Sequence, residues 1–225
     1  MYQHIYDKCC IFAACFAGFS TALGPIVFES HDKKSTKIEL SEMFKLFIAL
    51  SVGGALILSV FSAELIQNFT NETYFGAAKV LPIMFFTAIF TGFIMFSPGL
   101  QILKKTKFIT LLTVIFAVLN FVLNYYTVSR YGILGAATST LIATMLYSLI
   151  YFFVSNHYYK FNYSKWHIIL PFLYSLLSLL LINQFSNDIY LGKYIFGGIS
   201  VSLYVYGAYR LNMLTAITQK LKSFF

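Results

Sequence analysis

An α-helix needs about 20 mostly apolar residues to cross the hydrocarbon of a bilayer. This chain contains seven such runs, at about 9–28, 44–61, 77–98, 108–128, 133–154, 167–185 and 190–209. A backbone in lipid must satisfy its own N–H and C=O groups, which leaves helices and closed barrels as the only spanning structures. The runs are continuous in Leu, Ile, Phe and Ala, without the period-two alternation of a barrel strand. The expected fold is therefore all-α, a polytopic membrane bundle of about seven transmembrane helices. The joining segments are short, the longest at about 29–43, so no extramembrane catalytic or ligand-binding domain is expected.

Charge sets the expected orientation. Lys33, Lys34, Lys37 and Lys45 follow the first run, Lys104, Lys105 and Lys107 the third, Lys160 and Lys165 the fifth, and Arg210, Lys220 and Lys222 the seventh. Those twelve fall on one side of an alternating path, against Lys8, Lys79, Arg130 and Lys193 on the other. Lys and Arg accumulate on the cytoplasmic side of short loops. The N-terminus is thus expected outside and the C-terminus inside. No targeting peptide is expected at the front, because Met1 to Lys8 lack a basic start and a small-residue cleavage site.

Composition agrees with a bilayer setting, with 59% hydrophobic and 11% charged residues against roughly 25% charged in ordinary soluble domains. The net charge of +8 is spread through short loops singly or in threes, a pattern of topology signals and headgroup contact. Nucleic acid is not an expected partner; membrane lipids are. Cys9, Cys10 and Cys15 cluster at the first run without metal-ligand or disulfide spacing, so neither a metal nor a cofactor is expected.

Polar residues inside spans are costly and ask for a reason. Thr113, Asn120 and Asn124 repeat at offsets of seven and four, which places them on one helical stripe. Two readings stay open: an interhelical hydrogen-bond clamp, or the polar wall of a substrate cavity. The fifth run opens on small residues, with Gly132, Gly135 and Ala136 as candidate helix-packing positions. All four prolines, Pro25, Pro82, Pro98 and Pro171, lie in spans or at their ends, as in the broken helices of secondary transporters.

Four segments carry a family resemblance. Tyr74 to Pro82 and Pro98 to Lys107 are followed by Asn120-Phe-Val-Leu-Asn124 and then by Tyr131-Gly-Ile-Leu-Gly-Ala-Ala-Thr-Ser-Thr140. In this order and spacing the chain resembles the C-terminal half of bacterial polysaccharide flippases. These are the O-antigen and capsule repeat-unit transporters of the multidrug/oligosaccharidyl-lipid/polysaccharide exporter superfamily. The likeness covers about residues 1–160, and the last two runs only by hydropathy. It implies an inner-membrane protein that moves undecaprenyl-pyrophosphate-linked oligosaccharide across the bilayer by alternating access between two bundles.

One bundle is all that this length can hold, so the resemblance also implies a missing N-terminal half or a second copy as partner. An external N-terminus is what a seven-helix rear portion of such a carrier would have. Lys79, Lys193 and, at the head of the sixth run, His167 are the implied candidates for contact with the lipid-linked oligosaccharide's diphosphate, although snorkelling to the headgroups is the simpler reading of each. All the carboxylates, among them Glu64, Glu72 and Asp188, map to loops or span ends and read as solvated, so an ion-coupling acid is expected in the missing half.

Rival classes are a receptor, a membrane-embedded polymerase or glycosyltransferase, and an inactive fragment. An Asp-Arg-Tyr-like triplet after the third run and an Asn-Pro-x-x-Tyr in the seventh are both absent, which argues against a receptor. An enzyme would want a large external loop or an interfacial catalytic carboxylate. A non-enzymatic flippase bundle is the expected function, with no catalytic residues. Sequons at Asn68, Asn71 and Asn162 read as chance.

Overall fold

The computed structural model describes residues 34–69, 72–159, 166–185, 190–211 and 213. The first expected span, the three cysteines, Pro25 and Asp188 lie outside the described residues. Within them the chain is helical, without strands. The helices are α1 (Lys34–Val60), α2 (Ser62–Phe69), α3 (Leu81–Phe93), α4 (Gly99–Ile102), α5 (Thr106–Tyr158), α6 (Trp166–Phe185) and α7 (Tyr190–Arg210). Two 3₁₀ helices, Glu72–Lys79 and Ile94–Phe96, flank α3.

Local chemistry explains the breaks. Pro82 sits in the first turn of α3, where its missing N–H costs nothing. Pro98 caps α4, and Ser97 leaves helical geometry just before it, as residues preceding proline do. Hydroxyls inside the apolar runs bond to carbonyls one turn back: Ser59 to Ala55, Thr87 to Ile83 and Ser97 to Phe93. That satisfies each polar group without a partner helix.

Two stretches read as loops are helical. Helix α1 begins within the expected 29–43 loop, where Leu40 and Phe44 bury on its inner face and Lys45 pairs with Glu42 at 2.8 Å one turn away. The segment after α1 forms α2 and the 3₁₀ helix in place of an extended external loop. Short apolar-polar stretches between spans lack the length for a periodicity signal, and here packing against neighbours decides their conformation.

Helix α5 has 53 residues and would be about 80 Å long if straight. It is not straight. Gly132 adopts φ 56° and ψ −132°, which no L side chain favours, and the chain reverses there. Thr113 reaches Tyr147, Asn124 reaches Ser139 and Thr127 reaches Gly135, so the two arms, 106–131 and 133–158, form an antiparallel hairpin.

Contacts at both ends place successive helices in alternating directions. At one end, Lys37 of α1 lies over Tyr159, the Ser155 hydroxyl donates to the Ser97 carbonyl at 2.7 Å, and His167 meets the Leu211 carbonyl at 3.0 Å. At the other, the Tyr194 hydroxyl donates to Glu64, and Gly197 lies close against Val60. The core sits where α1, α3, α6, α7 and the second hairpin arm meet, around Phe44, Phe93, Phe96 and Phe152. Phe44 stacks on Phe152 at 5.4 Å and meets Phe93 edge-on at 5.7 Å. Between helices in lipid such van der Waals packing, rather than expulsion of water, supplies cohesion. The first hairpin arm touches little but the second: Val118, Phe121 and Tyr125 on it are exposed.

Candidate functional site

The polar stripe of the first hairpin arm lies in the seam between the arms. Asn124 Nδ2 donates to Asn120 Oδ1 at 2.8 Å and to the Asn120 carbonyl at 3.1 Å. Its Oδ1 accepts from the Ser139 hydroxyl at 2.8 Å, across the seam. One rung therefore runs Asn120–Asn124–Ser139. Thr113, two turns toward the open end, bonds the Ile109 carbonyl at 2.9 Å and lies 3.3 Å from the Tyr147 hydroxyl, which makes a second rung. Both asparagines are half-buried, and Ser139 is fully buried.

These bonds have the form of a clamp. They leave the Asn120 Nδ2 hydrogens without a partner among the described residues, so one amide donor stays available at the seam. A shallow, open depression lies on the outer face of the same arm, bordered by Thr106, Lys107, Thr110, Leu111 and Val114, and does not include the asparagines.

The small residues divide by role. A Cβ on Gly135 would lie 2.2 Å from the Thr127 carbonyl oxygen, so Gly135 is what permits the arms to close. Gly132, expected to pack a neighbouring helix, has open space around it and serves the reversal instead. Ala136 lends its carbonyl to the Ser139 and Thr140 hydroxyls.

The cation candidates are scattered. Lys79 ends the 3₁₀ helix before α3 and is exposed. Lys193 falls near the start of α7, and its side chain lies outside the described residues. Lys79 makes no bond to the asparagine seam among the described residues. His167 is engaged by Leu211, a tie between α6 and the end of α7, rather than reaching outward as a snorkelling cation.

Glu64 corrects an expectation. A solvated span end is not what the structure shows, because its Oε1 accepts from the Tyr194 hydroxyl and its Oε2 is closed off from solvent. The cause is α2, which turns the segment back onto α7 where a loop would have left the carboxylate in water. The remaining ring contact, Phe61 against Tyr194 at 5.8 Å, helps cover it. Among the described residues no group of three or more His, Cys, Asp and Glu side chains is arranged to hold a metal ion.

Several residues that build these sites escaped the sequence reading. Ser139 and Tyr147 complete the rungs, and Ser155 accepts from the Leu100 N–H at 3.3 Å while donating to Ser97. Tyr204 bonds the Ala49 carbonyl at 3.1 Å across α7 and α1. None carries a sequence signal of its own: Ser139 is one of three consecutive hydroxyl residues, and Tyr147, Ser155 and Tyr204 have other hydroxyl residues nearby in their runs. Pairing Ser139 with Asn124 needs the position of the Gly132 turn, from which they lie at nearly equal distances along the chain.

No family model matches the chain, and no solved structure matches it. It is similar to an uncharacterized membrane protein of Methanocaldococcus jannaschii, with 23% identity over 209 residues. The match covers 87% of this chain and 41% of that protein, so the chain spans less than half the length of the curated relative it matches. Helix Lys37–Val60 and the folded-back Thr106–Tyr158 are each long and apolar enough to cross a bilayer. The described residues are helical throughout, and the apolar helices together with the membrane-protein relative point to a membrane location.

Proposed function

We propose that this chain is one bundle of a flippase, with seven spans and an external N-terminus. In this reading it carries undecaprenyl-pyrophosphate-linked oligosaccharide repeat units across a bacterial inner membrane by alternating access, and it is not an enzyme. The observation that carries the reading is the hairpin. The segments most specific to the polysaccharide flippase resemblance, Asn120 to Asn124 and Tyr131 to Thr140, form a single unit with a polar seam and an available amide donor. The unit lies on the arm that packs least against the rest, which suits the wall of a cavity completed by a second bundle.

Three further features support it. The alternating helix directions match a threaded path in which the loops rich in Lys share one end. Tyr125, Tyr126 and Tyr131 are exposed by 73%, 63% and 69% near the hairpin turn, as interfacial aromatics are. Tyr125 and Tyr126 stand about 27–28 Å along the arm from Lys107, close to the thickness of the hydrocarbon, and Tyr131 stands about 36 Å from it, just past that thickness. The relative from Methanocaldococcus jannaschii is longer, which leaves room for a second bundle in a protein of this kind.

The test is complementation. In a strain lacking its polysaccharide flippase, this chain supplied with a matching N-terminal bundle restores surface polysaccharide, and Asn124→Leu abolishes that rescue while insertion stays normal. A pair that inserts and associates yet restores no polysaccharide would overturn the proposal.

A further inference from the structure

Four lysines, from α1, the start of α5 and the turn before α5, gather at one end of the fold, and none of them is ion-paired among the described residues. Lys37 on α1 places its Nζ 5.0 Å from the ring centre of Tyr159, and Lys105 places its Nζ 3.8 Å from that of Tyr158. The two tyrosines are adjacent, and Tyr159 is 8% exposed and packed in the core, which anchors the ring under Lys37 and brings the two ammonium groups to the same end. Lys104 and Lys107 are exposed beside them. None of the four makes an ion pair among the described residues; Glu42 is taken by Lys45, and exposed Glu39 pairs with none of them.

Lys104 adds an independent sign. It has φ 51°, the left-handed conformation, and its N–H bonds the Gln101 carbonyl at 2.9 Å while the Lys105 N–H bonds that of Leu100 at 3.0 Å. This is the helix C-cap at which glycine is the default. A lysine there carries a backbone penalty that glycine would remove. A residue that breaks a local rule without local compensation marks a functional demand, and the one property Lys offers over Gly at this exposed position is its charge.

We propose that this cluster binds the phosphate of an anionic phospholipid of the adjacent leaflet, with one acyl chain lying along the first hairpin arm. The open outer face of that arm carries Thr106, Lys107 and Thr110 and then Leu111 and Val114, so it passes from polar to apolar in the order that a headgroup and its chain require. Cations held over aromatic rings keep their remaining hydrogens directed toward a ligand, and phosphate is the anion of this interface. The site does not depend on the translocation reading: it holds for any function of the membrane-embedded protein.

The purified protein, extracted in mild detergent, is titrated with phosphatidylglycerol or phosphatidylcholine and bound lipid is counted by native mass spectrometry. Phosphatidylglycerol is retained preferentially, and each Lys→Gln change at Lys37, Lys104 or Lys105 weakens its retention roughly fivefold. Arg130→Gln, at the opposite end, leaves it unchanged. Lys104→Gly separates binding from folding, because it relaxes the backbone while removing the charge: lipid retention falls in a protein at least as stable. Lys105→Arg retains the lipid. Equal retention of phosphatidylcholine, undiminished retention in the triple Lys→Gln variant, or displacement of phosphatidylglycerol by millimolar inorganic phosphate would each overturn the assignment.

Discussion

Gly99 has no room for a side chain. A Cβ there would lie 2.3 Å from the Ser155 carbonyl oxygen and 3.0 Å from its hydroxyl, and the obstacle is backbone that cannot swing aside. Gly99→Ala therefore separates α4 from the end of the second hairpin arm and breaks the Ser155 bonds to Ser97 and Leu100. A loss of about 2–3 kcal/mol is expected, from overpacking plus unsatisfied backbone groups, read as a lowered midpoint of denaturant unfolding in detergent. Ser155→Ala, which removes the bonds and keeps the space, costs about 1 kcal/mol. At Asn124 the same scale separates structure from function. Its replacement by Leu removes a rung worth about 0.6–2 kcal/mol, so a stability change within that range accompanied by complete loss of polysaccharide export assigns Asn124 to the substrate path. Export in proportion to folded protein leaves it a clamp.

Elements that follow from long apolar runs were legible in the sequence, because about 20 apolar residues in a row admit few alternatives in lipid. The hairpin arms overlap the expected spans at 108–128 and 133–154, with Gly132 between them. The stripe of Thr113, Asn120 and Asn124 was legible for the same reason, since helical periodicity alone puts them on one face. What was not legible depends on contacts distant along the chain. Helix α2 and the enclosure of Glu64 require Tyr194, which is far away in sequence. The role of Gly132 was misread because a packing glycine and a turn glycine look identical in a run of small residues. Gly132→Val tests the distinction: open space around it would tolerate the volume, so its cost comes from φ 56° alone. We expect a loss of about 1–3 kcal/mol, with the arms' interhelical contacts retained. Gly135→Val instead collides with the Thr127 carbonyl and splays the arms, seen as loss of cross-linking by a short bifunctional thiol reagent between cysteines introduced at Phe116 and Tyr147, whose side chains meet across the seam.

At the scale of the whole molecule, the contacts group helix ends in a way that charge counting could only assert. Lys37, Lys104, Lys105 and Tyr159 meet at one end, Glu64 and Tyr194 at the other, and the hairpin turn with Arg130 lies away from the lysine-rich end. A bundle whose helices alternate in direction can sit in a bilayer in two orientations, and packing energy does not distinguish them. In the proposed reading the lysine end faces the cytoplasm, because Lys and Arg near spans are retained on that side. Single cysteines in a background with Cys9, Cys10 and Cys15 replaced by serine make the choice measurable. In intact cells a membrane-impermeant maleimide should label Ser129→Cys, beside the hairpin turn, and should reach Lys107→Cys only after permeabilisation. The reverse pattern would invert the bundle and place the lysine cluster against the outer leaflet. Labelling of both from one side would mean that the hairpin enters and leaves the membrane without crossing it, and the reading of its arms as spans would fail.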